Sequence, residues 1–121
     1  MTEKQSSKRY DLEDRTLKFA KNVRFFVAKL SKTTANFEDG KQVIRSSGSI
    51  GANYIEANEA LSKKDFNMRI KICRKEAKES RYWLKLIDTV ENKELEQERK
   101  VLENEARELT LIFGAIVTKS E

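Results

Sequence analysis

The sequence predicts an all-α protein, an antiparallel up-down-up-down four-helix bundle. Three observations predict it. Proline is absent and glycine numbers only four in 121 residues, so little in the chain breaks a helix. Charged residues make up 37% and hydrophobic residues 38%, rich in Ala, Glu, Lys, Leu and Arg, a mixture that favours long amphipathic helices over sheets. Apolar residues recur every three or four positions in four successive stretches with short polar breaks between them. No internal repeat or second domain is visible.

Residues 1–10 are polar and are expected to form a flexible leader, with 11–121 as a single domain. Asp11 can cap a helix. Phe19, Val23, Phe26 and Leu30 then follow at helical spacing, with Leu12 and Val27 on nearby faces, which predicts a helix over 12–31. The stretch "SKTTANFEDG" reads as a polar loop ending in an Asp-Gly turn signal. A second helix is expected to start between Asn36 and Lys41 and to end near Leu61. Ser62 to Asp65, "SKKD", is a capping box that opens the third. There Phe66, Ile70, Cys73, Ala77, Ser80, Leu84 and Ile87 form a core stripe, widened by Trp83, Leu86 and Val90. At about 28 residues this helix would be about 42 Å long and could project beyond a compact monomer. After a break at "ENKE", a fourth helix carries Leu95, Leu102, Ala106, Leu109, Phe113 and Ile116 to about Thr118.

The second helix contains an unusual stretch, Arg45 to Glu56, "RSSGSIGANYIE". On a helical wheel Ile44, Gly48, Gly51 and Ile55 share a narrow sector. Val43, Ser47, Ile50, Tyr54, Ala57 and Leu61 widen it to an arc suited to a bundle core plus a subunit interface. Each glycine costs about 1 kcal/mol relative to alanine in a helix interior. The expected compensation is close approach by a neighbouring helix, so Gly48, Gly51, Tyr54 and Trp83 are candidate packing or interface residues. Opposite them, Arg45, Ser49, Asn53 and Glu56 form a polar ridge. Arg45 and Glu56 lie about three turns apart and must each find another partner, with Glu76 and Glu79 the candidates for Arg45. The ridge can be a solvated face, a polar network at a helix or subunit contact, or a ligand site. Gly48-Ser49-Ile50-Gly51 matches the GXXG of an RNA-binding loop, but that loop belongs to an αβ fold with strands. A phosphate-binding Walker loop is absent.

The chain has no histidine and one cysteine, Cys73. These absences remove Ser-His and Cys-His pairs, Glu-x-x-His metal motifs and Cys-rich zinc sites within one chain. No metal, cofactor or enzymatic activity is expected. Cys73 on the apolar stripe reads as a buried small hydrophobe, and a lone thiol suits a reducing cytoplasm. No apolar run reaches membrane-spanning length and the start lacks a signal-peptide core, so a cytoplasmic location is expected.

The net charge is +5, unevenly spread. Residues 63–90 hold nine basic and four acidic side chains, whereas 91–121 hold five and eight. Lys71, Lys75, Lys78 and Lys85 form one stripe on the third helix, with Arg74 and Arg81 beside it and Lys64 near its start. Such a stripe can track a phosphate backbone, giving salt-dependent, sequence-tolerant binding of RNA or DNA. It can equally be a solvated face paired in part with the acidic fourth helix.

The segments "IRSSGSIGANYIEANEALSKKDF" and "KEAKESRYWLKLI" resemble the four-helix-bundle family of 23S rRNA intervening-sequence (S23) proteins. Arg45, Ser46, Ser49, Ile50, Asn53 and Glu56 match the family's second-helix pattern. Ser62, Asp65 and Phe66, then Glu76, Ala77, Glu79, Tyr82, Trp83 and Leu84, continue the match, and the resemblance spans roughly residues 10–118. Ala57 stands where many relatives have glycine. The resemblance implies a cytoplasmic bundle that assembles into a ring-shaped homopentamer, with no established enzymatic activity. The accessory proteins of diversity-generating retroelements look similar in fold and charge. They imply, as further partners, a reverse transcriptase or another nucleic-acid-handling protein.

Overall fold

The structure, a computed structural model, describes the backbone of residues 3–120 and the side chains of residues 11–120. Among these residues there are four helices and no strand: α1 (Glu3–Ala28), α2 (Thr34–Asn58), α3 (Lys63–Leu86) and α4 (Lys93–Ser120). Each packs on its neighbour in sequence, and α1 also touches α4, closing a four-helix arrangement around one core. α1 begins at Glu3, so Asp11 lies inside it rather than capping it, and the side chains of residues 1–10, the expected leader, lie outside the described residues.

The apolar stripes bury as the periodicity predicts. Phe19, Val23, Phe26 and Leu30 of α1 and its exit turn meet Ile70, Cys73, Ala77 and Leu84 of α3 and Leu102, Leu109 and Phe113 of α4 in one cluster. Tyr54 links α2 to α4, its ring 5.8 Å from that of Phe113 at a tilted 59°. Burying a side chain of this size contributes about 1.5–3 kcal/mol. Three glycines lie within α2, at about 1 kcal/mol each, so core burial outweighs their propensity cost and the helix runs through them.

Helix ends depart from expectation where tertiary contacts compete with local signals. The Asp39-Gly40 pair does not turn, because α2 begins earlier, at Thr34. Thr33 caps it, its side chain accepting the Asn36 N–H at 3.1 Å. Gly40 is helical and faces α1, where an added Cβ would lie 2.8 Å from Val27 Cγ1. Buried Asn36 also joins two loops, donating to Ser31 O and Asp88 O and accepting from the Asp88 N–H. Ser62 caps α3 as predicted, its Oγ accepting the Asp65 N–H at 3.0 Å.

The third helix is shorter than expected, 24 residues, and α4 is longer at 28. The chain leaves α3 after Leu86, and Val90 and Glu91 adopt left-handed backbone (φ 50° and 61°) to turn it back. Leu86 and Val90 are consequently half-exposed rather than part of the core stripe. The wide apolar arc expected of the second helix splits: Val43, Ile50, Tyr54 and Ala57 are buried, Ile55 faces solvent, and Leu61 is exposed beyond the helix, which ends at Asn58. No described helix is long and apolar enough to cross a membrane.

Candidate nucleic-acid interface

Contacts with α2 and α4 consume one side of α3, which buries Ile70, Cys73, Ala77, Ser80 and Leu84. The opposite side is basic. Lys64, Lys71, Arg74, Lys75, Lys78 and Lys85 are exposed, while Arg81 is half-buried. From Lys64 to Lys85 the face runs about 32 Å at 1.5 Å per residue. At its start Lys63, Lys64, Asp65, Asn67, Met68 and Lys71 are among the residues bordering an open concavity of about 600 Å³.

Several acidic residues of α4 are engaged by α1, its exit turn or α4 itself. Glu105 and Glu108 bind Arg15 of α1 at 2.7 Å each, and Glu98 binds Lys29. Glu96 and Glu103 hold Arg99 within α4 itself. Glu103 also reaches α3, 3.6 Å from Arg81 on the flank of the stripe. Arg74 lies across α4, its Cδ 3.7 Å from where a Gly114 Cβ would stand. The arginines thus turn toward α4, while the lysines project from the bundle.

The polar ridge of α2 is a helix–helix network. Arg45 Nη2 donates to Glu76 Oε1 at 3.3 Å and lies 3.5 Å from Glu79 Oε1, the two partners expected for it. Glu76 is only 6% exposed, so Arg45 offsets the charge of a carboxylate held largely out of water. Asn53 donates to Ser49 Oγ at 3.0 Å and accepts from Arg69 Nη1 at 3.0 Å. Ser46 and Ser80 share a fully buried hydroxyl pair at 2.7 Å, and Cys73 Sγ donates to Ile50 O. Glu56 is exposed at the end of this ridge. Arg69 was not singled out from the sequence, and Ser80 on the core stripe and Ser46 in the family pattern were not paired with each other. Their partners stand 16 and 34 residues away, a separation that periodicity within one helix does not link.

The packing residues take different environments. A Cβ on Gly51 would meet Thr16 Oγ1 at 2.9 Å, whereas one on Gly48 would meet only the tip of Arg24 at 3.4 Å. Tyr54 is buried in the core. Trp83 is half-buried against the core, with its indole N–H buried and without a hydrogen-bond partner. Burial pushes the Cys73 thiol up to about 12, which keeps it protonated at neutral pH. Among the described residues no group of three or more His, Cys, Asp or Glu side chains converges on a metal position.

The fold also exposes an apolar groove that the core stripes did not indicate. Asn22 and Phe25 of α1, Lys29 just beyond it, and residues of α4 that include Glu94, Glu98 and Val101 line about 540 Å³. Phe25 and Val101 are 65% and 60% exposed. Phe25 sits beside core Phe26 in "VRFF", one position off the buried stripe, which was the available signal.

Fold and surface together define a four-helix protein with a basic face on α3 and a polar seam between α2 and α3. The chain belongs to the 23S rRNA-intervening sequence protein family, whose profile matches residues 8–114. Its fold is similar to the crystal structure of a protein of unknown function from the S23 ribosomal protein family of Bacteroides thetaiotaomicron. The two share 31% identity over 92% of this chain and 98% of that one, with a TM-score of 0.76. No curated protein matches the chain.

Proposed function

We propose that this protein is a non-enzymatic, cytoplasmic RNA-binding oligomer whose α3 face contacts the phosphate backbone. The observation that carries the reading is the exposed lysine stripe, which lies on the side of α3 away from its buried residues. RNA is favoured as the polyanion by the rRNA in the family's name.

The helices run up-down-up-down in this reading. Val27 meets Gly40 and Thr16 meets Gly51, so α1 and α2 pair in opposite order, as do α2 and α3 through Arg45–Glu76 and Asn53–Arg69. A ring-shaped homopentamer would cover the apolar groove between α1 and α4 with a second copy and sum the fields of five basic faces. Light scattering should give a mass near five chains; a clean monomer would refute the ring.

RNA binding is tested by fluorescence anisotropy with a structured RNA at rising salt. Three to four phosphate contacts per face, at the slope of a duplex, predict about a 40- to 150-fold loss of affinity between 50 and 200 mM salt. Lys71→Glu, Lys75→Glu and Lys78→Glu combined should abolish binding with helicity unchanged. Salt-independent binding, or none at low salt, refutes the reading.

The exposed groove residues Phe25 and Val101 favour a second reading, a protein-interaction scaffold such as an accessory ring for a reverse transcriptase. A protein partner of that kind retained after nuclease treatment, with no RNA affinity of the isolated chain, would select it.

A further inference from the structure

The lysine stripe of α3 has one gap, and an aromatic fills it. Lys71, Lys75 and Lys78 are spaced by four and three, and Lys85 follows seven later; Tyr82 stands four after Lys78 and three before Lys85. At about 100° per residue, Lys64, Lys71, Lys75, Lys78, Tyr82 and Lys85 share an arc of about 80°. Tyr82 is 57% exposed, so its ring is not explained by packing within the bundle. It is nonetheless braced: the rings of Tyr82 and Trp83 meet edge to face, centroids 5.2 Å apart at 73°, and Trp83 packs on the core. Leu86, one turn further on, is 48% exposed and extends the apolar spot beside Tyr82.

Lysines alone would suit any polyanion. A braced, exposed aromatic among them suits a polyanion that also carries flat apolar rings. In a duplex those rings are stacked inside the helix, and only unpaired bases reach a protein side chain. We infer that the α3 face prefers single-stranded segments, with Tyr82 stacking on an unpaired base and Lys78 and Lys85 holding the flanking phosphates. The two lysines are about 10 Å apart along the helix axis, within reach of the phosphates on either side of one stacked base. This inference rests on the RNA-binding reading above and names the class of RNA.

The full chain is titrated with a labelled 12-nucleotide single-stranded RNA and with the same sequence as a duplex. Trp83 is the chain's only tryptophan and lies against Tyr82, so its fluorescence reports on the site. Single-stranded RNA should change that fluorescence and duplex should not. Tyr82→Ala should weaken single-strand binding about 5- to 150-fold, the range of one base–aromatic stack, while changing duplex affinity less than twofold. Tyr82→Phe, which keeps the ring, should bind as the wild type does. Should Tyr82→Ala leave single-strand affinity within twofold while the triple lysine variant abolishes it, the inference fails and the RNA-binding reading stands. An equal loss on both probes overturns base stacking, as does a changed mass in light scattering without a change in selectivity, which would make Tyr82 a contact between copies. No binding to either probe overturns both proposals.

Discussion

Replacing Gly48 and Gly51 by alanine, one at a time, should move stability in opposite directions, although both lie in α2 and stand three residues apart. Alanine gains about 1 kcal/mol over glycine in a helix interior. At Gly48 nothing opposes that gain, because the nearest heavy atom to the new Cβ is Arg24 Nη2 at 3.4 Å, the tip of a flexible exposed side chain. At Gly51 the new Cβ would stand 2.9 Å from Thr16 Oγ1 and 3.3 Å from Thr16 Cβ. Thr16 is 1% exposed and its hydroxyl is tied to Leu12 O at 2.8 Å, so it has nowhere to swing. Overpacking of this kind costs about 1–3 kcal/mol. The net expectation is about 1 kcal/mol of stabilisation for Gly48→Ala and about 0–2 kcal/mol of destabilisation for Gly51→Ala. Urea unfolding at one fixed protein concentration measures both, and thermal midpoints should separate by roughly 4 °C per kcal/mol. Adding Thr16→Ala to Gly51→Ala should recover part of the loss, a coupling above about 0.5 kcal/mol. Equal stabilisation by both glycine variants, or no coupling to Thr16, would refute the packing argument.

Two further outcomes follow from the electrostatics. Arg45→Ala should destabilise by about 1–3 kcal/mol, below the roughly 3–5 kcal/mol of a fully buried pair because Arg45 is itself half-exposed. Glu79→Ala should cost under about 1 kcal/mol, and Glu76→Gln should offset part of the Arg45→Ala loss; equal losses from Arg45→Ala and Glu79→Ala would contradict the assignment. A hydrogen bond from Arg99 holds the Glu96 carboxyl down to about 2, and one from Arg15 lowers Glu108. Both bind fewer protons folded than unfolded, so their stabilisation is complete above the ordinary carboxylate value of 4.5 and is lost as pH falls from there toward about 2. Arg99→Gln should flatten the fall in unfolding free energy across that window, and an unchanged slope would remove Glu96 from the account.

Much of this architecture is legible in one dimension because a helix repeats every 3.6 residues and its buried face leaves a periodic trace. Phe19, Val23 and Phe26, or Ile70, Cys73 and Ala77, could be placed in the core from spacing alone, and all are buried. The Ser62–Asp65 cap was equally readable, since it closes within four residues. The Arg45 partners were foreseen because Glu76 and Glu79 are acids beside the apolar stripe of the next helix. The basic face of α3 was visible as charge spacing.

What the sequence determined by itself, then, is whatever depends on short-range order: four amphipathic helices, their core faces, one cap, the lysine stripe and membership of a family. Only the tertiary structure decided what depends on neighbours distant in the chain. Gly40 is helical rather than a turn because Val27 comes against it, and α3 ends at Leu86 because the chain must turn back to bring α4 onto the core. Carboxylates of α4 pair with Arg15 of α1 and with Lys29 just beyond it, partners 90 and 69 residues away in the chain. Gly48 and Gly51 look alike in the sequence, yet one faces a movable arginine tip and the other a pinned threonine. Propensity and periodicity act over a few residues, whereas packing and charge pairing depend on which helices meet, and that is set only when the bundle closes.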